Sequence, residues 1–512
     1  MPFLKKPALL VVTFCLVSSF VRVSVARAES GEDSSSGFGN MVRGLFGDGD
    51  KEVEASAASA PSALEGDAAE SLLTPVEYLS ESEIRSARPW AEPDYSKQVG
   101  ALGWSETVFD VPPGMRERIT FWRDIYTKYT TESGVIHDSV NLGVVYTSLD
   151  FSEITKSSSL SPRQKAKAKV KLIKEKKAEY SQRLLNLHGR TSPEGLSGED
   201  LRLWNLFEGI PTKDRFRDAA AKGRLRFQLG QRDKFIIGIF HSGRYLNQME
   251  KVFREEGLPI ELTRLPFVES SFNLRAKSRV GASGIWQFMP RTARPYMKVN
   301  QEVDERNDPL KATRASARML RTNYQMLQAW PLAITGYNHG PSGVKRIAEK
   351  VGSRDLAKII DTYSSRTFGF ASENFYACFL AALEAERDAK KYFGEPRWGP
   401  ASETVELKVS KTISYKTLLQ LFDGDVTQAE LANPHFTSRV RRGRGQVPAR
   451  TYIRVPPARV KLAEDWLAGK LSNPANFAKA LMESSSEARP VSAQDGFLPA
   501  AKDQFTSGER KP

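Results

Sequence analysis

Between about Asp233 and Glu386 the chain reads as one helix after another, cut at short intervals by proline and glycine, and this run constrains the fold more than any other feature. Pro259 follows Gly257-Leu258, Asp308 precedes Pro309, Trp330 precedes Pro331, and Gly340 precedes Pro341. A proline in a first helical turn forfeits no hydrogen bond, because the N–H groups there have no partner within the helix. Asp308-Pro309 therefore predicts an N-cap followed by the first helical residue. Such a stretch folds as an all-α unit.

A chain of 512 residues is long enough for two or three folded units with linkers. Hydrophobic residues at 40% and charged residues at 27% exclude a multi-span membrane protein and place the bulk of the chain in water. Lys5 and Lys6 precede an apolar run from Ala8 to Val21, and Ala26-Arg27-Ala28 closes it with small residues, so residues 1–28 are expected to be a cleaved secretory signal. Arg22 interrupts that run short of the ~20 residues that span a bilayer. Cys15 sits behind Phe14 without the small residue a lipid-attachment site needs. Residues 29–100, rich in Ala, Ser, Gly and acidic side chains, are expected to be a disordered linker.

Order is expected from near Pro112, where Arg116 to Tyr126 carries apolar residues at helical spacing, and residues 101–232 read as a helical N-terminal region. Its basic run, Arg163 to Lys177, reads as a solvated helix face without interleaved aromatics. The all-α unit is bounded at 233–395. Beyond Pro400, Val405 to Val409 alternates like a strand, Tyr415 to Phe422 reads as a short helix and Thr451 to Pro456 alternates again, which predicts a small α/β module at 402–470. Residues 471–512 are expected to be a disordered tail. The fold class expected is thus mainly α, with the small α/β module at the C-terminal end.

A formal charge of +14 draws polyanions of any kind, and the export signal favours a cell-envelope polymer over nucleic acid. With the signal removed, Cys378 is the one cysteine left, so no intrachain disulfide is available. Cys378 lies in the apolar run Phe375 to Leu380 and reads as a buried small hydrophobe. The five histidines form no close pair and have no cysteine partner, so no metal site is expected.

Glu269 carries the chemistry. It ends the apolar stretch Leu262, Leu265, Phe267, Val268 and is followed by Ser270-Ser271-Phe272-Asn273, a helix end. A carboxyl in such surroundings is desolvated, stays protonated and can act as a general acid. A lone glutamate at a helix end is otherwise a solvated charge. Two further blocks follow in order: Ser278-Arg279-Val280-Gly281-Ala282-Ser283-Gly284-Ile285-Trp286-Gln287-Phe288-Met289-Pro290, and Gly336-Tyr337-Asn338-His339-Gly340. Gly281, Ala282 and Gly284 permit a tight turn against which a sugar ring can lie. Gln287 offers an amide donor and acceptor, and Trp286, Phe288 and Met289 offer apolar walls, with plain core packing the better reading for at least two of those three. Tyr337-Asn338 at a helix end reads equally as a capping pair.

Together the three blocks resemble the lytic murein transglycosylases with a goose-type, lysozyme-like catalytic domain, most closely the membrane-bound murein transglycosylase D branch. The resemblance covers roughly residues 235–390. It implies a lysozyme-like catalytic domain, Glu269 as catalytic acid/base, and a substrate set of Ser278, Gly284, Gln287, Met289, Tyr337 and Asn338. It also implies peptidoglycan glycan strands as substrate, no cofactor, no nucleic acid and a periplasmic site of action. Residues 404–456 faintly resemble the LysM-like segment of this branch through Leu418-Leu419, Glu430 to Pro434 and Tyr452 to Pro456, but lack its Gly-Asp-Thr opening. A monomer is expected, with residues 101–232 the candidate surface for envelope protein partners. Two rivals stand beside this reading: a hydrolase on the same fold, and a non-catalytic wall-binding scaffold. A glycosidase ordinarily uses two carboxylates, and the matched blocks supply one. Glu261, Glu302, Asp304 and Glu305 lie outside them and read as solvated.

Overall fold

The structure is a computed structural model that describes residues 79–95, 108–471 and 474–487. The expected signal 1–28 lies outside the described residues, as does most of the 29–100 linker and the tail beyond 487.

The all-α unit is built around the helix Phe370–Arg387, which buries residues on every side, from Ala371 and Asn374 to Ala385 and Glu386. A helix apolar all round belongs at a core centre. Packed against it are the helices Arg116–Thr127, Trp330–His339 and Leu265–Ser270. Cys378 sits on it with no solvent exposure, and burial holds its thiol protonated well above the usual range. The proline punctuation falls as the sequence predicts. The Asp308 carboxylate accepts the N–H groups of Leu310 and Lys311 and starts the helix Pro309–Leu327. The helices Trp330–His339 and Pro341–Val351 begin with Pro331 and Pro341 in their first turns.

Residues 108–232 contain a feature the helical expectation did not anticipate. The strands Val145–Asp150, Ser133–Asp138 and Leu225–Leu229 form an antiparallel three-stranded sheet in that order. The middle strand is buried on both faces from Gly134 to Asp138, so the two-residue alternation that marks a half-exposed strand is missing from its sequence. The basic run lies on the helix Pro162–Leu187, which packs Ala166, Ile173, Tyr180, Leu184 and Leu187 inward and leaves Arg163, Lys167, Lys171 and Lys174 exposed.

Residues 79–95 correct the expectation of a disordered linker running to 100. Ser80 and Glu83 cap the short helix Glu81–Arg85 reciprocally, Arg88–Pro89 pairs with Arg397–Trp398, and Trp90 is buried in the main core. Tyr95 donates to Glu386 Oε2 at 2.7 Å, and Glu386 in turn accepts from Arg264 Nε at 2.8 Å. Two aromatic anchors and a buried ion pair outweigh the polar composition of the stretch.

At the C-terminal end Val405–Lys408 pairs antiparallel with Tyr452–Val455, and the helices Tyr415–Gln420 and Val426–Ala432 lie between them in sequence. This segment has its own core, to which Leu418, Phe436, Ile453 and Trp466 contribute together with Val303 from the all-α unit. The expected disordered tail also needs correction: Pro474–Glu487 is a helix, held by Phe477, which is buried against Trp466 at 5.7 Å between ring centres. The chain is mainly α-helical, and no helix among the described residues is long and apolar enough to cross a membrane.

Candidate active site

Glu269 is the last residue but one of the helix Leu265–Ser270. The helix stops there because Ser271 and Phe272 both adopt left-handed backbone conformations, with φ of 51° and 55°. Neither is glycine, so each costs about 1–2 kcal/mol. Burial of Phe272, edge-on to Phe267 at 4.8 Å, offsets that cost and fixes the point at which the chain turns. Phe267 stacks on Phe235 at 4.6 Å. The carboxyl of Glu269 is wholly buried, and neither of its oxygens has a hydrogen-bond partner among the described residues. Burial alone pushes its pKa well above the ordinary carboxylate range, with no charged neighbour among the described residues contributing. Burial thus makes the carboxyl hold its proton more tightly than an exposed one does.

Two phenols feel its charge. Tyr337 comes from the helix Trp330–His339, and Tyr126 from the helix Arg116–Thr127, far outside the three sequence blocks. Both are buried, which raises their pKa values well above the usual phenol range, and Glu269 raises them further. Tyr126 also bonds to Cys378 and stacks on Phe235 at 5.2 Å. No sequence block flags Tyr126; its only signal is its place on the apolar face of a helix, where it reads as core.

The loop after the helix is joined to it by Ser270 Oγ, which donates to the Ile285 carbonyl at 2.9 Å. Ser278 and Ala282 close a small turn in which Ser278 Oγ accepts from Ala282 N at 2.9 Å. Two residues expected to face sugar are used internally. Gly284 has φ +79°, and a methyl built on it would overlap the Arg306 carbonyl oxygen, so its small size serves the approach of the protein's own main chain. Gln287 is buried with φ 46°, and both hydrogens of its amide nitrogen go to main-chain carbonyls, Gly284 O at 2.8 Å and Ala276 O at 3.2 Å. It braces the loop. Trp286 and Phe288 are core residues, Trp286 donating to Thr313 Oγ1 at 2.9 Å, whereas Met289 stays half-buried at the start of the helix Pro290–Ala293.

Tyr337 joins this loop to the helix bundle, its hydroxyl donating to the Trp286 carbonyl at 2.8 Å. Asn338 is buried beside it and accepts from Ser372 Oγ at 2.9 Å. Two acids taken from sequence as solvated are not: Asp304 pairs through both oxygens with Arg306, and Glu305 is buried, accepting from Lys298 N at 2.6 Å. Arg306 itself, 5% exposed, donates from one nitrogen to the carbonyls of Gly281 at 2.7 Å and Phe288 at 2.9 Å, at the two ends of the loop. Among the described residues no group of three His, Cys, Asp or Glu side chains is placed to hold a metal ion.

A buried acid at a helix end, with a glycine-containing loop tied to that helix through Ser270 and a tyrosine bonded to the loop, is the arrangement that the three blocks form. Residues 249–360 match the Transglycosylase SLT domain. This SLT domain takes in Glu269, the Ser278–Met289 loop and Tyr337-Asn338. Over 197 residues the chain is 31% identical to the membrane-bound lytic murein transglycosylase D of Escherichia coli, in each of two strains. The aligned stretch is 38% of this chain and 41% of that relative, so the chain spans about two fifths of the relative's length. The resemblance read from the sequence is borne out. Tyr126 lies outside the matched SLT residues.

Proposed function

We propose that the chain is an exported peptidoglycan lytic transglycosylase in which Glu269 is the single acid/base. The observation that carries this reading is the setting of Glu269: its carboxyl is fully buried, has no hydrogen-bond partner among the described residues, and burial raises its pKa well above the ordinary range. A neutral carboxyl can donate a proton to a glycosidic oxygen near neutral pH. The proposed substrate bond joins MurNAc to GlcNAc. Glu269 protonates the bridging oxygen, and the substrate's own N-acetyl group stabilises the positive charge that grows at C1. The carboxylate so formed then removes the proton of the C6 hydroxyl, whose oxygen attacks C1 and closes a 1,6-anhydro ring. One carboxyl suffices because the second reacting group belongs to the sugar.

Within this reading Ser278, Met289, Tyr337 and Asn338 line or support the cleft beside Glu269. Tyr337 would keep the Trp286 end of the loop at a fixed distance from the acid. The work is placed in the periplasm, and a cleaved signal at residues 1–28 belongs to the same proposal. The test is Glu269→Gln, which keeps the shape of the protonated acid and removes its proton. Clearing of a suspension of purified sacculi should fall by at least about 100-fold, the usual weight of a general acid. Full lytic activity of this variant would refute the assignment of Glu269, whereas a wild type that clears no sacculi would favour a wall-binding scaffold.

A further inference from the structure

The segment 300–308 runs between the Ser278–Met289 loop and the C-terminal α/β segment and is bonded to both. On the C-terminal side it behaves as an added strand. Asp304 N donates to His435 O at 2.7 Å, Thr437 N donates to Glu302 O at 3.0 Å, and Val303 pairs with Phe436 while filling the C-terminal core. Its end is fastened by charge. Asp308, wholly buried, accepts from Tyr452 Oη at 2.8 Å and forms a two-point pair with Arg454. Burial alone would raise the pKa of Asp308, but Arg454 and the N–H groups it caps hold it below the usual range. His435 stacks on Tyr452 at 4.3 Å, and burial depresses its pKa to about 4, so it is a neutral spacer here.

On the other side the same segment reaches the loop. The Arg306 guanidinium, fixed by Asp304, donates to the carbonyls of Gly281 and Phe288, and the Arg306 carbonyl lies under Gly284. Ser283 Oγ donates to Asn307 Oδ1 at 2.7 Å. The loop that carries Ser278 and Met289 thus has its two ends and its middle held by residues 306 and 307. The residues on either side of them are in turn clamped, 302–304 by 435–437 and Asp308 by Tyr452 and Arg454. An arginine can do this because its planar fork serves a carboxylate on one edge and two carbonyls on the other.

We propose that the C-terminal segment, residues 405–467, is a positioning element for the glycan loop, with Arg306 the positioning residue through which it acts. It is built into the catalytic unit and is not a tethered binding module. The inference rests on the proposed function in so far as the loop receives glycan, but the positioning itself can be read without turnover.

The experiment uses the full chain and four proteins: wild type, Arg306→Lys, Arg454→Lys and Tyr452→Phe. Amide hydrogen exchange is followed at residues 276–289. The account predicts exchange faster by about tenfold or more in that loop for Arg454→Lys, and in the same direction for Tyr452→Phe, though both substitutions lie outside it. Unchanged loop exchange in both, with exchange altered only around 405–467, would overturn the inference. For turnover of soluble glycan strands, Arg306→Lys should raise KM by about tenfold, the weight of a charge-assisted bond pair, with kcat within about twofold. Unchanged KM would also overturn it. A wild type that releases no product would sink the proposed function while the exchange result still stands.

Discussion

Replacing Glu269 by glutamine should stabilise the fold, and by an amount that grows with pH. The carboxyl is wholly buried, no donor among the described residues compensates it, and burial raises its pKa well above the ordinary 4.5. In the unfolded chain the same group ionises near its ordinary value. The folded state therefore binds a proton that the unfolded state releases, over the whole window between the two pKa values. The stability contributed by protonated Glu269 is complete below the ordinary value and is lost as pH rises toward the folded value. Within that window the loss runs at about 1.4 kcal/mol per pH unit, which is one pKa unit expressed as free energy. Glutamine is nearly the same shape as the neutral acid and has no proton to lose. Urea denaturation of both proteins at about pH 4.5, 5.5 and 6.5 reads the difference, which should widen as pH rises, by at most about 1.4 kcal/mol per unit, with m unchanged. A gap that stays constant with pH would mean that Glu269 is solvated or paired in solution, and the general-acid argument would lose its physical basis.

Two other substitutions probe the support of the site. Gly284→Ala places a methyl against the Arg306 carbonyl at a φ of +79°, so it should cost about 1–3 kcal/mol and lower lytic activity with it; a thermal midpoint equal to wild type would contradict the packing described. Arg264→Met takes the cation from the buried Glu386 carboxyl, leaving it the Tyr95 hydroxyl, and should cost about 3–5 kcal/mol by denaturant midpoint. Adding Glu386→Gln should recover part of that loss, and no recovery would show that Arg264 acts by shape alone.

The parts of the fold legible in the sequence are those fixed by local chemistry. Asp308-Pro309 could be read as a helix start because a carboxylate beside a proline satisfies the orphan N–H groups wherever the chain lies. The alternation at Val405 to Val409 and Thr451 to Pro456 marks strands because an aliphatic residue recurs at every second position beside a charged one, as at Val405, Leu407 and Val409 and at Ile453 and Val455. The strand Ser133–Asp138 gave no such signal because it is covered on both faces. Residues 79–95 and 474–487 were misjudged for a related reason: a few aromatics, Trp90, Tyr95 and Phe477, dock on surfaces that other segments supply. At the site, Glu269 was legible from its apolar run and the blocks around it. Gly284 and Gln287 have neighbours within the protein that the sequence does not show, main-chain carbonyls of residues 276, 284 and 306, because sequence gives the type of a hydrogen-bonding group and not its address. Arg306 was passed over among the charges Asp304, Glu305 and Asp308, a run that reads as surface until burial is known.

The central claim, that one buried acid cleaves glycan strands by internal transfer, is tested most directly by the products. Purified sacculi digested with the full chain should release muropeptides that mass spectrometry finds one water lighter than hydrolysed fragments, ending in 1,6-anhydroMurNAc, with none released by Glu269→Gln. Fragments carrying the extra water and no anhydro ends would contradict the account and identify a hydrolase on the same fold.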